Sequence, residues 1–445
     1  MNVEHYKKWD QDYVWHPYTT FSALENTPLP IISQGKGIYL YDINGTPYVD
    51  AIASWWACNL GHSHPRIVNA IKKQCDELQH SILGNLSHPP AIELAKELAH
   101  KMPDSDCHVH FASDGASAVE TALKISLQYW YNLGMSKKIK FLSLKEAYHG
   151  DTLAAVSMGY QETFHRPFKE MLLRSDQLPV SPYDATEEEA LCQAEDVIKQ
   201  HRDEYAAMLV EPLCQGAAGM RIYSANYLHK LYELCKKHDI LFIADEIATG
   251  MGRTGKMFAF EHANIIPDMV CVGKGLSAGY LPISAAIVRN QIHETFSDQP
   301  TDHTFYHGHT FAGNPLAAAT AIETLRTYAD DHIIENAHKL GIKLEIFLRP
   351  LAIHPSIKEV RCLGMIGAIE FKKEITGKAQ RVQKYMKNHG YLVRPLGQVI
   401  YVMLPLITPE KALEATVRTL ARAVEETSNA TINTCKHRAE LFDDL

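Results

Sequence analysis

Two short apolar runs, at residues 241–244 and 269–273, each lead directly into a side chain that carries charge. The first run leads into Asp245 and Glu246, and the second leads into Lys274, which has a glycine on either side. Continuous apolar runs of this length are typical of strands that are buried on both faces of a parallel sheet. In open α/β sheets, ligands bind beyond the carboxyl ends of the strands. The pattern therefore predicts an α/β fold with a carboxylate and an amine at one ligand-binding edge.

This pair of residues suits the chemistry of pyridoxal 5′-phosphate. The aldehyde of that cofactor bonds covalently to a lysine amine, and its ring nitrogen needs an acidic partner to stay protonated. Lys274 would carry the aldehyde and move protons once a substrate amine has displaced it, while Asp245 would hold the ring nitrogen. The alternative is that Asp245 caps the next segment and that Lys274 is a solvated loop residue. Their joint position at two strand ends favours the catalytic interpretation.

A strand predicted at Val109–Ala112 leads through a glycine turn into a helix that begins near Gly115. The free amides and the dipole at a helix N-terminus favour a phosphate, although an ordinary capped helix start has the same sequence pattern. Tyr148 follows another predicted strand, Phe141–Leu144. An aromatic ring just past a strand end can lie flat on a pyridine ring, the alternative being a core tyrosine with a satisfied hydroxyl group.

A set of longer segments resembles one enzyme family. DEIATGMGRTG is followed by GKGLSAGYLP; WHPYT, SWW, AYHGD and EPLCQGAAGM precede them, and HGHTFAGNP and VRPLG follow. On these segments, which cover residues 15–405, the chain resembles the class III pyridoxal-phosphate aminotransferases. The resemblance implies the type I pyridoxal-phosphate transferase fold, with a large α/β domain whose sheet is mostly parallel and a small α+β domain. It also implies a homodimer with shared active sites at the subunit interface.

The resemblance implies a role for each matching residue around the cofactor. It places Gly115 and Ala116 at the phosphate, Tyr148 and Asp245 at the ring, Lys274 at the aldehyde, and Gly308, His309 and Thr310 at the phosphate of the neighbouring subunit. Glu211 and Gln215, both as second-tier residues, would approach the ring and its 3′-oxygen. Two positions depart from the usual pattern. Ala116 stands where many relatives carry a hydroxyl residue, and His309 stands where this type of enzyme often has proline.

The activity that the resemblance implies belongs to biotin biosynthesis. The expected reaction transfers an amino group from S-adenosyl-L-methionine, or alternatively from lysine, to 8-amino-7-oxononanoate, which gives 7,8-diaminononanoate. Arg394 would bind the acceptor carboxylate, since a guanidinium fork matches that anion. The implied substrate-binding residues are Tyr18, Trp55, Tyr148, Lys274, Gly308, Arg394, Tyr401 and, with a weaker role at the pocket mouth, Arg253. The rival activities are a class III aminotransferase acting on an omega-amino acid and a class III aminomutase.

The bulk properties argue against several other classes of protein. The net charge of −8 argues against a general nucleic-acid binder. No apolar run approaches the about 20 residues of a membrane span, and the polar N-terminus lacks the apolar core of a signal peptide. Nine cysteines without CxxC pairs fit free thiols in a reducing compartment. We therefore expect a cytoplasmic protein whose ligands are small molecules and that binds neither nucleic acid nor membrane.

Two histidine-rich turns raise the alternative of a metal site. His62 and His64 lie in a Gly/Pro turn, and His307 and His309 lie in a second turn. Histidines at i and i+2 can bind a metal, but no matching cysteines or carboxylates follow at zinc spacing. We expect no metal site. A nucleotide-dependent oxidoreductase is also disfavoured, because no GxGxxG follows the first strand. A cofactor-free interaction protein would differ by showing no visible absorbance band.

The chain is expected to divide into an N-terminal segment at 1–60 that joins the small domain, a large cofactor-binding domain at 61–329, and a C-terminal small domain at 330–445. The pair Asn44-Gly45 is a strong hairpin signal. We interpret residues 160–205, with their acidic stretch, as a surface insertion. Trp55 and Trp56 would point to opposite faces of an extended chain, so that one can be core while the other lines a cavity. Without the resemblance, the residue types favour a core position for both.

Overall fold

The computed structural model describes residues 3–21, 24, 29–298 and 301–427. Residues 428–445 of the predicted C-terminal domain lie outside this set. The α-helices are Val3–Tyr13 (α1), Pro65–Glu77 (α2), Pro89–Ala99 (α3), Gly115–Asn132 (α4), Leu153–Met158 (α5), Glu162–His165 (α6), Glu187–His201 (α7), Ala225–Lys237 (α8), Asn290–His293 (α9), Pro315–Asp330 (α10), Ile333–Leu348 (α11), Lys378–Asn388 (α12) and Glu410–Glu426 (α13). Short 3₁₀ helices lie at Arg166–Met171, Ala259–Ala263, Lys274–Ser277, Thr301–His303 and Arg349–Ile353.

The strands form one large sheet and three smaller ones. They are Ile32–Lys36 (β1), Tyr39–Asp42 (β2), Pro47–Asp50 (β3), Cys107–Ala112 (β4), Lys140–Leu144 (β5), Ser175–Leu178 (β6), Tyr205–Val210 (β7), Cys214–Gln215 (β8), Arg221–Ile222 (β9), Leu241–Asp245 (β10), Met269–Val272 (β11), Ser284–Arg289 (β12), Ile357–Leu363 (β13), Ile366–Phe371 (β14), Tyr391–Leu392 (β15), Arg394–Leu396 (β16) and Val399–Val402 (β17). The large sheet has seven strands in the order β4-β12-β11-β10-β7-β5-β6.

The large sheet is parallel except at one strand. β12 runs antiparallel to both of its neighbours, β11 and β4, whereas β11, β10, β7, β5 and β6 pair in parallel. This arrangement confirms the predicted mostly parallel sheet of an α/β fold. The carboxyl ends of the parallel strands therefore meet at one edge, where the loops that follow them gather.

The apolar runs become strands because the sheet is buried on both faces. In β10, Phe242 and Ala244 pack into one apolar cluster, while Leu241 and Ile243 pack into another. Successive side chains of a strand point to opposite faces, so every position needs an apolar residue when both faces are covered. The run ends at Asp245, where the chain reaches the open edge of the sheet.

The N-terminal and C-terminal parts of the chain share a core. β3 pairs in parallel with β15, so the N-terminal sheet has the order β1-β2-β3-β15. Ile38, Val49 and Leu60 pack in the same apolar cluster as residues of β14 and β17. The division at residues 60 and 330 stays a prediction, and α10 crosses the second of these boundaries. The antiparallel pairing of β2 with β3 confirms the hairpin predicted at Asn44-Gly45.

The interpretation of residues 160–205 as a surface insertion is wrong. β6 lies in this range and forms an edge of the large sheet, and α7 buries Ala190, Ala194 and Ile198. The acidic stretch is the first turn of α7, where negative charge interacts favourably with the helix dipole. Thr186 and Glu189 form a capping box there, in which each side chain bonds the backbone of the other residue. The polar sequence reflects a capped amphipathic helix.

Within the residues described, no helix combines the length and the apolar character needed to traverse a lipid bilayer.

Candidate active site

The loops at the carboxyl edge of the large sheet enclose a cavity of about 440 Å³. Its lining consists of Trp56, Asp114, Gly115, Ala116, Tyr148, His149, Gly150, Asp151, Thr152, Glu211, Asp245, Ile247, Ala248 and Lys274. Five of the residues predicted for the site, namely Gly115, Ala116, Tyr148, Asp245 and Lys274, therefore lie in one lining. They come from four different strand ends, which only the parallel sheet brings together.

Lys274 follows β11 after one glycine and begins a 3₁₀ helix, and its φ of 38° lies in the left-handed region. Its Nζ lies 4.9 Å from the centroid of the Trp56 ring. Burial lowers the pKa of the Lys274 amine, while the nearby carboxylates of Asp245 and Glu211 act in the opposite direction. A lowered pKa increases the neutral, nucleophilic fraction of an amine. Lys274 is thus a partly desolvated amine rather than a solvated loop residue.

Asp245 is fixed by two hydrogen bonds at the end of β10. Its Oδ1 accepts from the amide of Ile247 at 3.1 Å, and its Oδ2 lies 2.7 Å from Nδ1 of His149. The His149 side chain is fully buried, and its Nε2 has no partner within the described residues. The His149 imidazole therefore orients the Asp245 carboxylate.

Two further carboxylates near this edge have structural partners. Glu211 accepts from the amides of Tyr148 at 3.1 Å and Gly216 at 3.0 Å, so it ties two walls of the cavity together. Burial raises the pKa of Glu211 to about 7. Glu246 accepts from the amides of Ala259 and Phe260 at 3.0 and 2.8 Å and lies outside the lining. Asp245 is therefore the carboxylate next to Lys274 that is left to face a ligand.

The N-terminus of α4 forms another wall of the cavity. Asp114 caps the helix by accepting from the amide of Ser117 at 3.0 Å, which leaves the amides of Gly115 and Ala116 facing the lining. Helix N-termini bind phosphate through such amides and the helix dipole. Ala116 also packs against Gly150, where an added Cβ would come within 2.4 Å of the Ala116 methyl group. The small residue at 116 thus matches a tight contact with the loop that carries Tyr148.

An aromatic and acidic cluster borders the cavity. The hydroxyl groups of Tyr148 and Tyr18 both donate to Asp151, the first at 3.0 Å. Burial raises the pKa of both tyrosines, so both hydroxyl groups stay protonated. Tyr18 packs edge-on against Trp55 with their centroids 5.7 Å apart. The contact joins residues that are far apart in the chain into one wall.

Residues 53–56 form a left-handed turn rather than an extended segment. Ala53, Ser54, Trp55 and Trp56 have φ values of 45°, 46°, 67° and 74°. A non-glycine residue in this conformation costs about 1–2 kcal/mol, so the turn needs support from the rest of the fold. The prediction that Trp55 and Trp56 belong to an extended chain is therefore wrong, and the turn brings both rings to the site.

Arg394 lies beside this turn on β16. Its Cζ is 4.2 Å from the centroid of the Trp55 ring and 6.0 Å from that of Tyr18. Opposite Arg394 on β17 stands Tyr401, whose hydroxyl accepts from Trp56 Nε1 at 3.2 Å. Across the described residues, no carboxylate pairs with the Arg394 guanidinium. An unpaired guanidinium held between aromatic rings is suited to an anionic ligand.

The predicted position of Arg253 at the pocket mouth is wrong. Its side chain is 1 % exposed, and the guanidinium donates to the carbonyl of Leu404 at 2.6 Å and to Asn59 Oδ1 at 2.6 Å. These bonds join the loop between β10 and β11 to Asn59 near the N-terminal end of the chain and to Leu404 near its C-terminal end. A buried guanidinium engaged in this way is a structural link, and we assign it no contact with substrate.

Gln215 also lies outside the cavity lining. It is fully buried, and its Nε2 donates to the carbonyl of Lys145 at 2.8 Å. Gly308, His309 and Thr310 are exposed and do not line the cavity of their own chain. His309 Nε2 instead lies 3.3 Å from Ser113 Oγ. A contact of these three residues with a neighbouring subunit remains a prediction.

Three residues of the lining were missed or undervalued in the sequence. His149 and Asp151 stand in the AYHGD segment that was read only for Tyr148, and Trp56 was assigned no role beyond its neighbour's. The signal was available, since polar residues just past a strand end face the ligand edge. Among the described residues, no group of three or more His, Cys, Asp or Glu side chains is placed to hold a metal.

His62, which lies near the left-handed turn, gives a prediction for pH dependence. Burial lowers the pKa of its imidazole, but hydrogen bonds with Asp50 and Cys58 outweigh that effect and raise the pKa to about 9. Because the folded pKa exceeds the ordinary value of 6.5, the stabilisation is complete below about pH 6.5 and is lost as the pH rises through about 9. We expect the wild type to melt about 2–4 °C above His62→Gln near neutral pH, and the difference to vanish near pH 10. A difference that is constant with pH would contradict this.

The chain is similar to known proteins in its family, in its sequence and in its structure. The family Aminotransferase class-III matches residues 21–424. The adenosylmethionine-8-amino-7-oxononanoate aminotransferase of Aquifex aeolicus is 38% identical over 448 residues, which cover 94% of this chain and 97% of that protein. That of Staphylococcus aureus is 36% identical over 437 residues, with the same coverages.

The solved structures agree with the sequence comparisons. The crystal structure of adenosylmethionine-8-amino-7-oxononanoate aminotransferase from Methanocaldococcus jannaschii superposes with a TM-score of 0.91 at 36% identity, covering 96% of this chain and 99% of that chain. A structure of the omega transaminase from Pseudomonas jessenii in complex with PMP has a TM-score of 0.89 at 31% identity, covering 95% and 98% of the two chains.

Proposed function

The chain belongs to the class III aminotransferases, and on that premise we propose that it transfers an amino group to 8-amino-7-oxononanoate to give 7,8-diaminononanoate in biotin biosynthesis. The relatives that are 36–38% identical to this chain are named for that activity, and the matches cover 97% of their length. The observation that carries the proposal is the unpaired Arg394 guanidinium on Trp55, next to the cavity that holds Lys274 and Asp245. It supplies the carboxylate site that an acceptor of this kind needs.

The residues of the cavity fit pyridoxal 5′-phosphate. They combine the amine of Lys274, the carboxylate of Asp245 and the helix N-terminus at Gly115 in the lining of a cavity of about 440 Å³. When bound, the cofactor acts as an electron sink for the carbon atom from which a proton is removed. Lys274 would hold the aldehyde end, Asp245 the ring nitrogen, and the first-turn amides of α4 the phosphate. His149 lies behind the Asp245 carboxylate, and its buried Nε2 has no hydrogen-bond partner among the described residues.

The proposed mechanism assigns each step to a residue of this chain. With its amine, Lys274 would take the proton from the substrate's amino-bearing carbon and hold it for return. Asp245, oriented by His149, keeps the ring nitrogen protonated. Arg394 fixes the acceptor carboxylate at the far end, so that the keto carbon lies at Lys274. The wall of Tyr18, Trp55 and Tyr148 would accommodate the long apolar chain between them.

Arg394→Ala is expected to lower kcat/KM for 8-amino-7-oxononanoate by about ten- to two-hundredfold, mainly through KM. The donor half-reaction should change little when S-adenosyl-L-methionine or lysine is supplied without the acceptor. Arg394→Lys should recover only part of the loss, because an ammonium lacks the planar fork. The exposed Arg422→Ala is a matched control and should behave as wild type. Equal losses in both half-reactions, with a lower melting temperature, would make Arg394 a structural residue.

One assay tests the proposed function directly. The purified protein is incubated with pyridoxal 5′-phosphate, 8-amino-7-oxononanoate and either S-adenosyl-L-methionine or lysine, and the product is identified by mass spectrometry. We expect 7,8-diaminononanoate with at least one donor, and the better donor decides between the two versions of the reaction. Turnover of omega-amino acids while 8-amino-7-oxononanoate stays unreacted would overturn the proposal. Rearrangement of a substrate without a free keto product would indicate an aminomutase.

We further propose a homodimer with shared active sites. Gly308, His309 and Thr310 are exposed in the single chain, and the neighbouring Tyr306 and Phe311 are 80% and 60% exposed. Exposed aromatic side chains next to polar ones are typical of subunit contacts. Light scattering should therefore give twice the chain mass of 50.0 kDa. The eight cysteines in the described part of the chain are free, which supports a cytoplasmic location.

A further inference from the structure

The left-handed turn at residues 53–56 is built without glycine. Its four residues have φ values between 45° and 74°, and the amides of Trp56, Ala57 and Cys58 donate to the carbonyls of Ile52 and Ala53 at 2.9–3.0 Å. Glycine adopts this conformation freely, whereas other residues persist in it only when their surroundings hold them there. A backbone of this kind at a ligand site needs an identifiable restraint.

The restraint is a side-chain cluster at the end of β3. Asp50, which is 1% exposed, accepts at Oδ2 from Ser54 Oγ at 2.7 Å and lies 2.9 Å from His62 Nε2. Ser54 is the second residue of the turn, so this bond ties the turn to the strand. We call Asp50, Ser54 and His62 the Asp50 clamp.

The anchor side of the Asp50 clamp is fixed by backbone contacts. The Asp50 amide donates to the carbonyl of Ile38 at 2.9 Å, and His62 exchanges two backbone hydrogen bonds with Gly37 at 2.9 and 2.7 Å. His62 also packs on Gly35, where an added Cβ would lie 2.7 Å from the His62 Cβ. The clamp therefore has little freedom to follow the turn if the turn relaxes.

The two tryptophans of the turn make three contacts of the proposed site. The Trp55 ring lies 4.2 Å from Arg394 Cζ, and the Trp56 ring lies 4.9 Å from Lys274 Nζ while its Nε1 donates to Tyr401. We propose that the Asp50 clamp positions both tryptophans and so determines how tightly the acceptor carboxylate is bound at Arg394. Asp50, Ser54 and His62 act through the turn as positioning residues and touch no substrate.

A structural experiment tests the clamp without any activity. Hydrogen–deuterium exchange of the substrate-free protein follows the amides of Trp56, Ala57 and Cys58. We expect Ser54→Ala and Asp50→Asn to exchange at least about tenfold faster there, because the partly buried hydrogen bond between Ser54 and the Asp50 carboxylate is lost or weakened. Asp42→Asn is the matched control. Asp42 is a buried carboxylate of the neighbouring strand that accepts from the amides of Asn44 and Thr46, so it should loosen that hairpin and leave the turn unchanged.

Ser54→Gly separates the tether from the backbone conformation. It keeps the left-handed conformation accessible and removes the hydroxyl group, so the clamp predicts the same loosening as in Ser54→Ala. If Ser54→Gly behaves as wild type while Ser54→Ala is loosened, the conformation alone matters and the clamp is overturned. Equal loosening in Asp42→Asn would mean general destabilisation and would also overturn it.

A kinetic experiment tests the link between the Asp50 clamp and Arg394, and it rests on the proposed function because that function identifies the acceptor. Ser54→Ala and Ser54→Gly should each raise KM for 8-amino-7-oxononanoate by about three- to tenfold, while kcat with saturating acceptor falls by less than about twofold. Faster exchange in the turn with an unchanged KM overturns the link to Arg394. A wild-type protein that does not use 8-amino-7-oxononanoate at all refutes the proposed function, whereas the exchange experiment still decides whether the clamp holds the turn.

Discussion

Lys274→Ala is expected to reduce transamination to less than about one ten-thousandth of the wild-type rate. The loss is large because a single amine both holds the cofactor aldehyde and moves the substrate proton. Its position supports both roles, since burial lowers its pKa and the cavity wall is shared with Asp245. The protein should fold normally, because the Lys274 side chain makes no hydrogen bond to any other described residue.

The assay for Lys274→Ala needs a chemical readout beside the rate. Borohydride should fix the cofactor to the wild type at residue 274, and a tryptic peptide of increased mass should report the attachment. Lys256→Ala removes a lysine of the same stretch whose Nζ donates to the carbonyl of Glu261, away from the lining. It should retain activity and attachment. Substantial turnover by Lys274→Ala, or attachment at another lysine, would refute the assignment.

Asp245→Asn is expected to slow the first half-reaction by at least about a hundredfold, which corresponds to about 2.7 kcal/mol in the barrier. An amide cannot keep the ring nitrogen protonated, so the cofactor loses strength as an electron sink. Cofactor affinity should fall by only about tenfold, because the phosphate and aldehyde ends keep their partners. Single-turnover kinetics at saturating cofactor measure the two effects separately.

The adjacent Glu246→Gln provides the comparison for Asp245→Asn. Glu246 is also buried, yet it bonds the amides of Ala259 and Phe260 and does not line the cavity. We expect Glu246→Gln to lower the melting temperature without a selective loss in the first half-reaction. If the two variants affect rate and stability alike, Asp245 has no special role at the ring nitrogen.

The sequence predicted the catalytic edge because its signals are local. The apolar runs before Asp245 and Lys274 become strands through burial on both faces, and the charged residues mark where each buried strand ends. The helix start at Gly115 was predicted from a glycine turn and helical spacing in the same stretch. In each case the residues that define the element stand next to each other in the chain.

The remaining features depend on partners far apart in the chain. His149 and Asp245 are separated by 96 positions, and no local pattern links them. The left-handed turn has no glycine to reveal it, because the support comes from Asp50 and His62. Arg253 stands in a polar loop that resembles a surface segment, yet its guanidinium bonds Asn59 and Leu404 inside the protein. Only the tertiary structure supplies these contacts.

The aromatic wall around Arg394 has a consequence for how such enzymes diversify. Lys274 and Asp245 stand on the large sheet, whereas Trp55, Tyr18 and Arg394 come from the two ends of the chain. Substitutions in the terminal segments can therefore exchange one acceptor for another while the chemical apparatus stays intact.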